Sequence, residues 1–181
     1  MTAPVIRRAE AADARALAAF CARTFRETYE AYNAEADMTL HLRTHFTEEI
    51  QHDEILDPDA AMLVAEHEGA LAAYVKVRRG AAPACVRATR PVEVQRFYVD
   101  RPWQGRGLAY RMMEAARQAG VALGADALWL GVWEQNPRAI TFYTRCGFAD
   151  VGAWTFTLGA DVQQDRVLQR PATGEIATAH R

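Results

Sequence analysis

Val92-Glu93-Val94-Gln95-Arg96-Phe97-Tyr98-Val99, followed after a short break by Gln104-Gly105-Arg106-Gly107-Leu108-Ala109, is the stretch from which the rest of the chain can be read. The first run has the apolar, β-branched content of a buried strand, and residues 107–124 read as the helix after it. A glycine-rich turn between a strand and a helix leaves backbone N–H groups without intrahelical acceptors. Together with the positive end of the helix dipole they form a seat for a phosphate or pyrophosphate. The strand has a second peculiarity. Its apolar residues fall at Val92 and Val94, then at Phe97 and Val99, so the parity switches midway. A strand of period two keeps both pairs on one face only if a bulge intervenes. A bulge would splay the strand from its neighbour and leave backbone groups free for an extended, amide-bearing ligand to pair with like an added strand. The alternative is a strand buried on both faces, in which parity carries no information.

Outward from this unit, residues 5–8 read as a first strand and 14–26 as an alanine-rich helix with Asp13 placed to cap it. Residues 34–45 form a second helical region, and Thr47 can cap a third over 48–56, which Asp57-Pro58 ends. Residues 61–66 and 71–77 read as a hairpin around Gly69, and 80–91 as a loop. Downstream, 128–132 is a buried strand and 136–146 a helix that Gly147 terminates. Residues 153–158 and 162–169 form a closing hairpin over Gly159-Ala160-Asp161. The order is mixed α/β: helices early, an antiparallel centre, a β-α-β unit and a final hairpin. Residues 1–170 are expected to form one domain and 171–181 a frayed tail.

Composition narrows the function. A chain of 181 residues, half of them apolar, buries a core of one domain. A net charge of −2 argues against a nucleic-acid surface, which needs a basic face. No apolar run approaches a membrane span, and the first residues lack an apolar signal core, so a soluble cytoplasmic protein is expected. Cys21, Cys85 and Cys146 have no paired spacing and suit reduced thiols. Lys76 is the only lysine, and there is no serine, which excludes a serine nucleophile. His41 and His45 have the spacing of a zinc helix, but Leu42 stands where a catalytic glutamate belongs and no third ligand is evident, so no metal is expected. Cys146 precedes a helix-ending glycine, where the dipole disfavours a thiolate.

The loop itself fails two familiar tests. A dinucleotide site wants G-x-G-x-x-G, but Tyr110 stands at the third glycine, and Glu134 lies too far on for a ribose-binding acid. A Walker loop needs Gly-Lys-Ser/Thr. What remains is Q-x-x-G-x-A, filled by Gln104, Gly107 and Ala109. Farther on, Asn136 and Tyr143 are seven apart, two helical turns, and so share a face that can look back across the sheet toward the loop.

The 104–109 loop and the Asn136…Phe142-Tyr143…Gly147-Phe148 segment together resemble the GCN5-related N-acetyltransferase (GNAT) superfamily. The resemblance covers 92–148. It implies a single domain of the α/β (α+β) class, with a mixed, mostly antiparallel sheet splayed between strands four and five and flanked by helices. It also implies acetyl-CoA as the acetyl donor. The pyrophosphate would lie on the amides of Gly105, Arg106, Gly107, Leu108, Ala109 and Tyr110. The pantetheine would run along the backbone of Phe97, Tyr98 and Val99, with Gln104 in the loop and Asn136 on the cofactor arm. Tyr143 would lie near the thioester sulfur. A looser likeness, through Thr24-Phe25-Arg26-Glu27-Thr28-Tyr29, Asn33, the 130–134 strand end and Gln164-Asp165, is to the PaiA-like spermidine/spermine acetyltransferases. Ribosomal-protein acetyltransferases carry a glutamate base where this chain has Gly131, which points away from that substrate class.

Acetyl transfer to an amine needs a base for the amine, a donor for the oxyanion and a proton for the departing thiolate. An amine of pKa near 10 is mostly protonated at neutral pH. Tyr143 is the expected general acid, and Glu93, beside the bulge, the expected base, with a rim ion pair as its alternative role. Phe25, Tyr29 and Tyr32 recur at i, i+4, i+7, and Glu27, Glu30, Glu35 and Asp37 follow without an intervening Lys or Arg. Tyr29, Glu30, Tyr32 and Asp37 are therefore the expected amine-binding wall, suited to a polycation such as spermidine or spermine. An amphipathic helix with a solvated acidic side fits the same pattern. Protein or antibiotic amines remain alternative acceptors, and a non-catalytic acyl-CoA-binding regulator an alternative role. Expected partners are a small-molecule amine, no nucleic acid and no membrane, in a monomer or homodimer.

Overall fold

Strand-forming and helix-forming runs alternate as the sequence predicts. The structure, a computed structural model, describes residues 2–158 and 161–176. β1 (Val5–Arg8), α1 (Ala14–Tyr29), α2 (Glu35–His45) and α3 (Glu48–Leu56) are followed by β2 (Ala60–His67), β3 (Ala70–Arg79) and β4 (Pro91–Val99). Then come α4 (Leu108–Ala122), β5 (Ala127–Trp133), α5 (Pro137–Arg145), β6 (Ala149–Leu158) and β7 (Asp161–Pro171). The strands form one seven-stranded sheet in the order β1-β2-β3-β4-β5-β7-β6. Only β4–β5 is parallel. No helix among the described residues is long and apolar enough to cross a membrane.

The parity switch in β4 has the cause its pattern suggests. Lys76 of β3 pairs with Arg96 and Val77 with Val94, so Gln95 is an extra residue in β4. Val92 and Val94 before this bulge, and Phe97 and Val99 after it, pack into the same core beneath α4 and α5. Glu93, Arg96 and Tyr98 line a cavity on the other side of the sheet. β4 stays beside β5 for three pairs, Pro91–Ala127, Val92–Leu128 and Glu93–Trp129, and no further. β5 meanwhile remains paired with β7 along its whole length. The sheet therefore opens between its two central strands just past Glu93.

Helices close both faces. Leu108, Met112, Met113 and Ala116 of α4 pack on Val75, Val77, Val92, Leu128 and Leu130. Each fully buried Leu or Met there contributes roughly 1.5–3 kcal/mol of transfer free energy. On the opposite face, α1, α2 and α3 bring Leu17, Phe20, Cys21, Phe25, Met38 and Ile55 against Met62, Val64 and Tyr74. An ionic cluster is set beside this second core. Lys76, only 4% exposed, places Nζ 2.8 Å from Glu54 Oε1, and Arg96 Nη1 lies 2.5 Å from Glu54 Oε2. Burial lowers the Lys76 pKa, and the shared carboxylate holds it up.

Two local expectations fail. Asp13 does not cap α1. It accepts from both terminal nitrogens of the Arg7 guanidinium, at 2.6 and 2.8 Å, and from the Glu10 N–H at 2.8 Å, so it ties β1 to the turn ahead of the helix. A bidentate fork to a guanidinium outbids a single cap bond to a backbone N–H. Residues 171–176 are not frayed. Ala172 and Ile176 are buried, and the Ile176 N–H donates to Glu114 Oε2 at 2.9 Å. The Ala172 N–H donates to the Asp126 carbonyl, and buried Arg170 donates to the carbonyls of Cys146 and Gly174, both at 2.7 Å. α1 also runs one turn beyond its predicted end, to Tyr29. The expected turn residues Gly159 and Ala160, like 177–181, lie outside the described residues.

Candidate active site

The loop after β4 is built by local hydrogen bonds. Asp100 accepts from the Arg101 N–H at 2.9 Å and starts a short 3-10 turn, Arg101–Trp103. Gly105 and Gly107 then take φ of 72° and 81°, left-handed values that cost an L side chain about 1–2 kcal/mol. Gly107 leads directly into α4. Among the described residues, no backbone N–H from 105 to 110 has an acceptor. The exposed Arg106 side chain beside them has no partner among the described residues either. This is a cationic, donor-rich helix start.

Gln104 is a strut. Its amide donates to the Val99 carbonyl at 2.8 Å and accepts from Arg138 Nη2 at 2.7 Å, so it joins the end of β4 to the first turn of α5. That engages its side-chain oxygen and the Val99 carbonyl. Asn136 is also partly committed. Its Oδ1 caps α5 by accepting from the Ala139 N–H at 3.1 Å, while its Nδ2 has no acceptor among the described residues.

Tyr143 of α5 packs its ring against Phe97 (6.3 Å between centroids) and Phe148 (5.9 Å). Phe142 stacks on Phe97 at 5.5 Å and meets Tyr110 at 5.3 Å. Phe97, Tyr110, Phe142 and Tyr143 thus wall one side of the opening. Burial pushes the Tyr143 phenol well above the ordinary tyrosine value. Tyr29 of α1, on the other face, adds to this rise. The gap past Glu93, where β4 and β5 part, lies between the two sides.

On the α1–α2 side lies a cavity of about 290 Å³. Phe25, Tyr29, Asn33, His41, His45 and Phe46 form its helical wall. Arg78, Glu93, Gln95, Arg96 and Tyr98 come from β3 and β4, and Gly131, Trp133, Trp154 and Asp165 from the β5–β7–β6 half. The structure thus brings Glu93 and Tyr29 together here. Glu93 is ion-paired, accepting from Arg78 Nε at 2.6 Å. Glu30, Tyr32 and Asp37 do not line the cavity. Tyr32 is 60% exposed and packs its edge on Trp133. The acids around them meet arginines that the local sequence did not reveal: Glu35 pairs with Arg26, and Glu27 with Arg23 and Arg101.

Three groups line the cavity without having been given a site role from the sequence. Asp165 stands on β7 between its cross-strand partners Trp133 and Trp154. Burial raises its pKa, and the Trp154 indole partly offsets this. Gly131 keeps this spot open, because a Cβ there would lie 3.2 Å from both Asp165 Oδ2 and Trp154 Nε1. Gln95, the bulge residue, buries its Oε1 with no donor, and the parity switch was the signal that could have found it. His41 and His45 stack at 4.2 Å, and His41 also stacks on Phe25 at 4.4 Å. Burial first, then His45 and Arg96, push the His41 pKa down to about 4, so it is neutral near pH 7. Their i, i+4 spacing marks a cavity wall.

Residues 22–148 match the acetyltransferase (GNAT) family. The chain is 32% identical over 158 residues to an uncharacterized N-acetyltransferase of Mycobacterium bovis, spanning 87% of this chain and 97% of that one. A probable spermine N(1)-acetyltransferase of Bacillus subtilis subsp. natto is 35% identical over 66 residues, 36% of this chain and 43% of its own length. The fold is similar to that of the PaiA N-acetyltransferase of Thermoplasma acidophilum, solved in complex with coenzyme A. Their TM-score is 0.75 at 18% identity, over 94% of this chain and 99% of that one. The free N–H groups of 105–110 and the unpaired edge of β4 fit such a cosubstrate. The chain belongs to the GNAT family of acetyltransferases, whose acetyl donor is acetyl-CoA.

Proposed function

We propose that this protein transfers the acetyl group of acetyl-CoA directly to the amine of a small molecule held in the α1–α2 cavity. The observation that carries the reading is the early end of β4–β5 pairing, with a donor-rich helix start on one side and a carboxylate-bearing cavity on the other. Acetyl-CoA supplies an activated acyl thioester. The N–H groups of Gly105, Arg106, Gly107, Leu108, Ala109 and Tyr110 suit its pyrophosphate, with Arg106 adding charge. The β4 backbone at Phe97, Tyr98 and the Val99 N–H, with Asn136 Nδ2, suits the pantetheine arm.

Tyr143 holds its proton throughout the neutral range and offers it where a thiolate departs. An ammonium acceptor must first lose a proton. Glu93 was the expected base, but its carboxylate is engaged by Arg78. Asp165 makes no ion pair among the described residues and has a raised proton affinity. We assign the base role to Asp165, and to Glu93 the role of orienting Arg78. A polyamine acceptor has the support of the spermine acetyltransferase match, over a third of the chain, while Glu30, Tyr32 and Asp37 stand apart from the cavity.

The test is release of free thiol from acetyl-CoA on adding a panel of amines. Amine-dependent release is expected. Tight acetyl-CoA binding with no release for any amine, free or peptide-borne, would instead identify a non-catalytic acyl-CoA sensor.

A further inference from the structure

The charges lining the acceptor cavity are unevenly distributed. From them we infer that the amine accepted there also carries a carboxylate, as an amino acid does. The inference rests on the cavity being the acceptor site.

The wall from β3 and β4 is cationic. Arg78 spends Nε on Glu93, and Arg96 spends Nη1 on Glu54 while lying 4.9 Å over the Phe46 ring. Neither guanidinium makes another hydrogen bond among the described residues, so both keep N–H groups for a ligand. Behind Arg96, Lys76 leans on the same Glu54. Three cations thus share two carboxylates on this wall, leaving it net positive. A guanidinium fork is shaped for a carboxylate.

Two groups have the opposite need, one on the facing β5–β7–β6 wall and one at the β4 bulge. Asp165 has no ion pair among the described residues, and Gly131 leaves it open to the cavity. Gln95 Oε1 is a buried acceptor with no donor, a rare condition that a ligand N–H relieves. Together they would seat one ammonium. The helical wall contributes aromatic rings and histidines but no carboxylate. A polycation would therefore find one free anion and two arginines. An amine bearing a single carboxylate leaves no charge unmatched.

The experiment compares α-amino acids with their primary amides, and with spermidine, in the thiol-release assay. Binding of each to the CoA-loaded protein is measured in parallel by calorimetry. At least one acid should exceed its own amide tenfold or more in kcat/KM and in affinity. Arg78→Gln should cut that acid-to-amide ratio at least tenfold, and Arg78→Lys, which keeps the charge, should restore part of it. Amides equal to or better than acids, or spermidine better than every acid, would overturn the inference and leave the acetyltransferase reading intact. No thiol release with any amine would overturn that reading itself.

Discussion

If Asp165 and Tyr143 divide the proton work as proposed, each gives a distinct signature when removed. Replacing Asp165 with Asn should lower kcat/KM at pH 7 by roughly 10²-fold, the usual worth of a positioned base. The deficit should shrink as pH approaches the acceptor's own pKa, because the amine then arrives deprotonated. The same change should raise Tm at pH 7. The folded state raises the Asp165 pKa, so ionisation favours the unfolded chain once pH exceeds the folded value. Below the unfolded value near 4 both states are protonated, and the Tm gain should vanish by pH 3. Tyr143→Phe should lower kcat by at least tenfold at saturating acetyl-CoA while leaving its KM nearly unchanged. An unaltered kcat would assign the hydroxyl to packing alone. Tyr143 could be placed from its seven-residue spacing to Asn136, a local relation. Asp165 could not, because its environment is made by Trp133 and Trp154 on two other strands.

The elements between β4 and α5 act as one cradle because Gln104 ties them together. Gln104→Ala removes a bond to the Val99 carbonyl and another to Arg138. Stability should fall by about 1 kcal/mol, and the KM for acetyl-CoA should rise several-fold with kcat little changed. A motif search finds this glutamine as part of a phosphate loop, yet its side chain serves the loop from behind. The strand and helix boundaries were legible to within four residues, the largest miss being the start of β6, since periodicity and capping are local properties. Thr47, for instance, accepts from the Ile50 N–H at 3.2 Å as its position before an acidic first turn implied. The bulge was legible too, from the valine and phenylalanine spacing in β4. The acidic wall was misread for the complementary reason. Glu27 and Glu35 look unpaired in sequence, but Arg23 one turn before Glu27, Arg101 far along the chain, and Arg26 on the preceding helix for Glu35 pair with them.

Across the whole molecule, the segment 171–176 draws β7, α4 and α5 together. Arg117 donates to Glu114 and to the Ala172 carbonyl, and Glu114 in turn accepts from the Ile176 N–H. Arg117 first, with Ile176 and Gln118 assisting, holds the Glu114 pKa down to about 2. The depressed value means that this carboxylate stabilises the fold above its ordinary pKa of 4.5. That contribution should be lost as pH falls from 4.5 toward 2. Glu114→Gln should therefore cost about 1 kcal/mol at pH 7, discounted for partial solvent screening, and nothing near pH 2, as thermal melts across that range would read. Lys76 has a different molecule-wide consequence. Acetyl-CoA slowly acylates exposed lysine amines without any enzyme, and a protein that concentrates this thioester would be its own first victim. Here the sole lysine is folded away against Glu54, and every other basic side chain is arginine or histidine. The fold therefore offers its reactive cosubstrate no lysine to damage. Prolonged incubation with acetyl-CoA should leave Lys76 unmodified by mass spectrometry in the native protein and acetylated once the chain is unfolded.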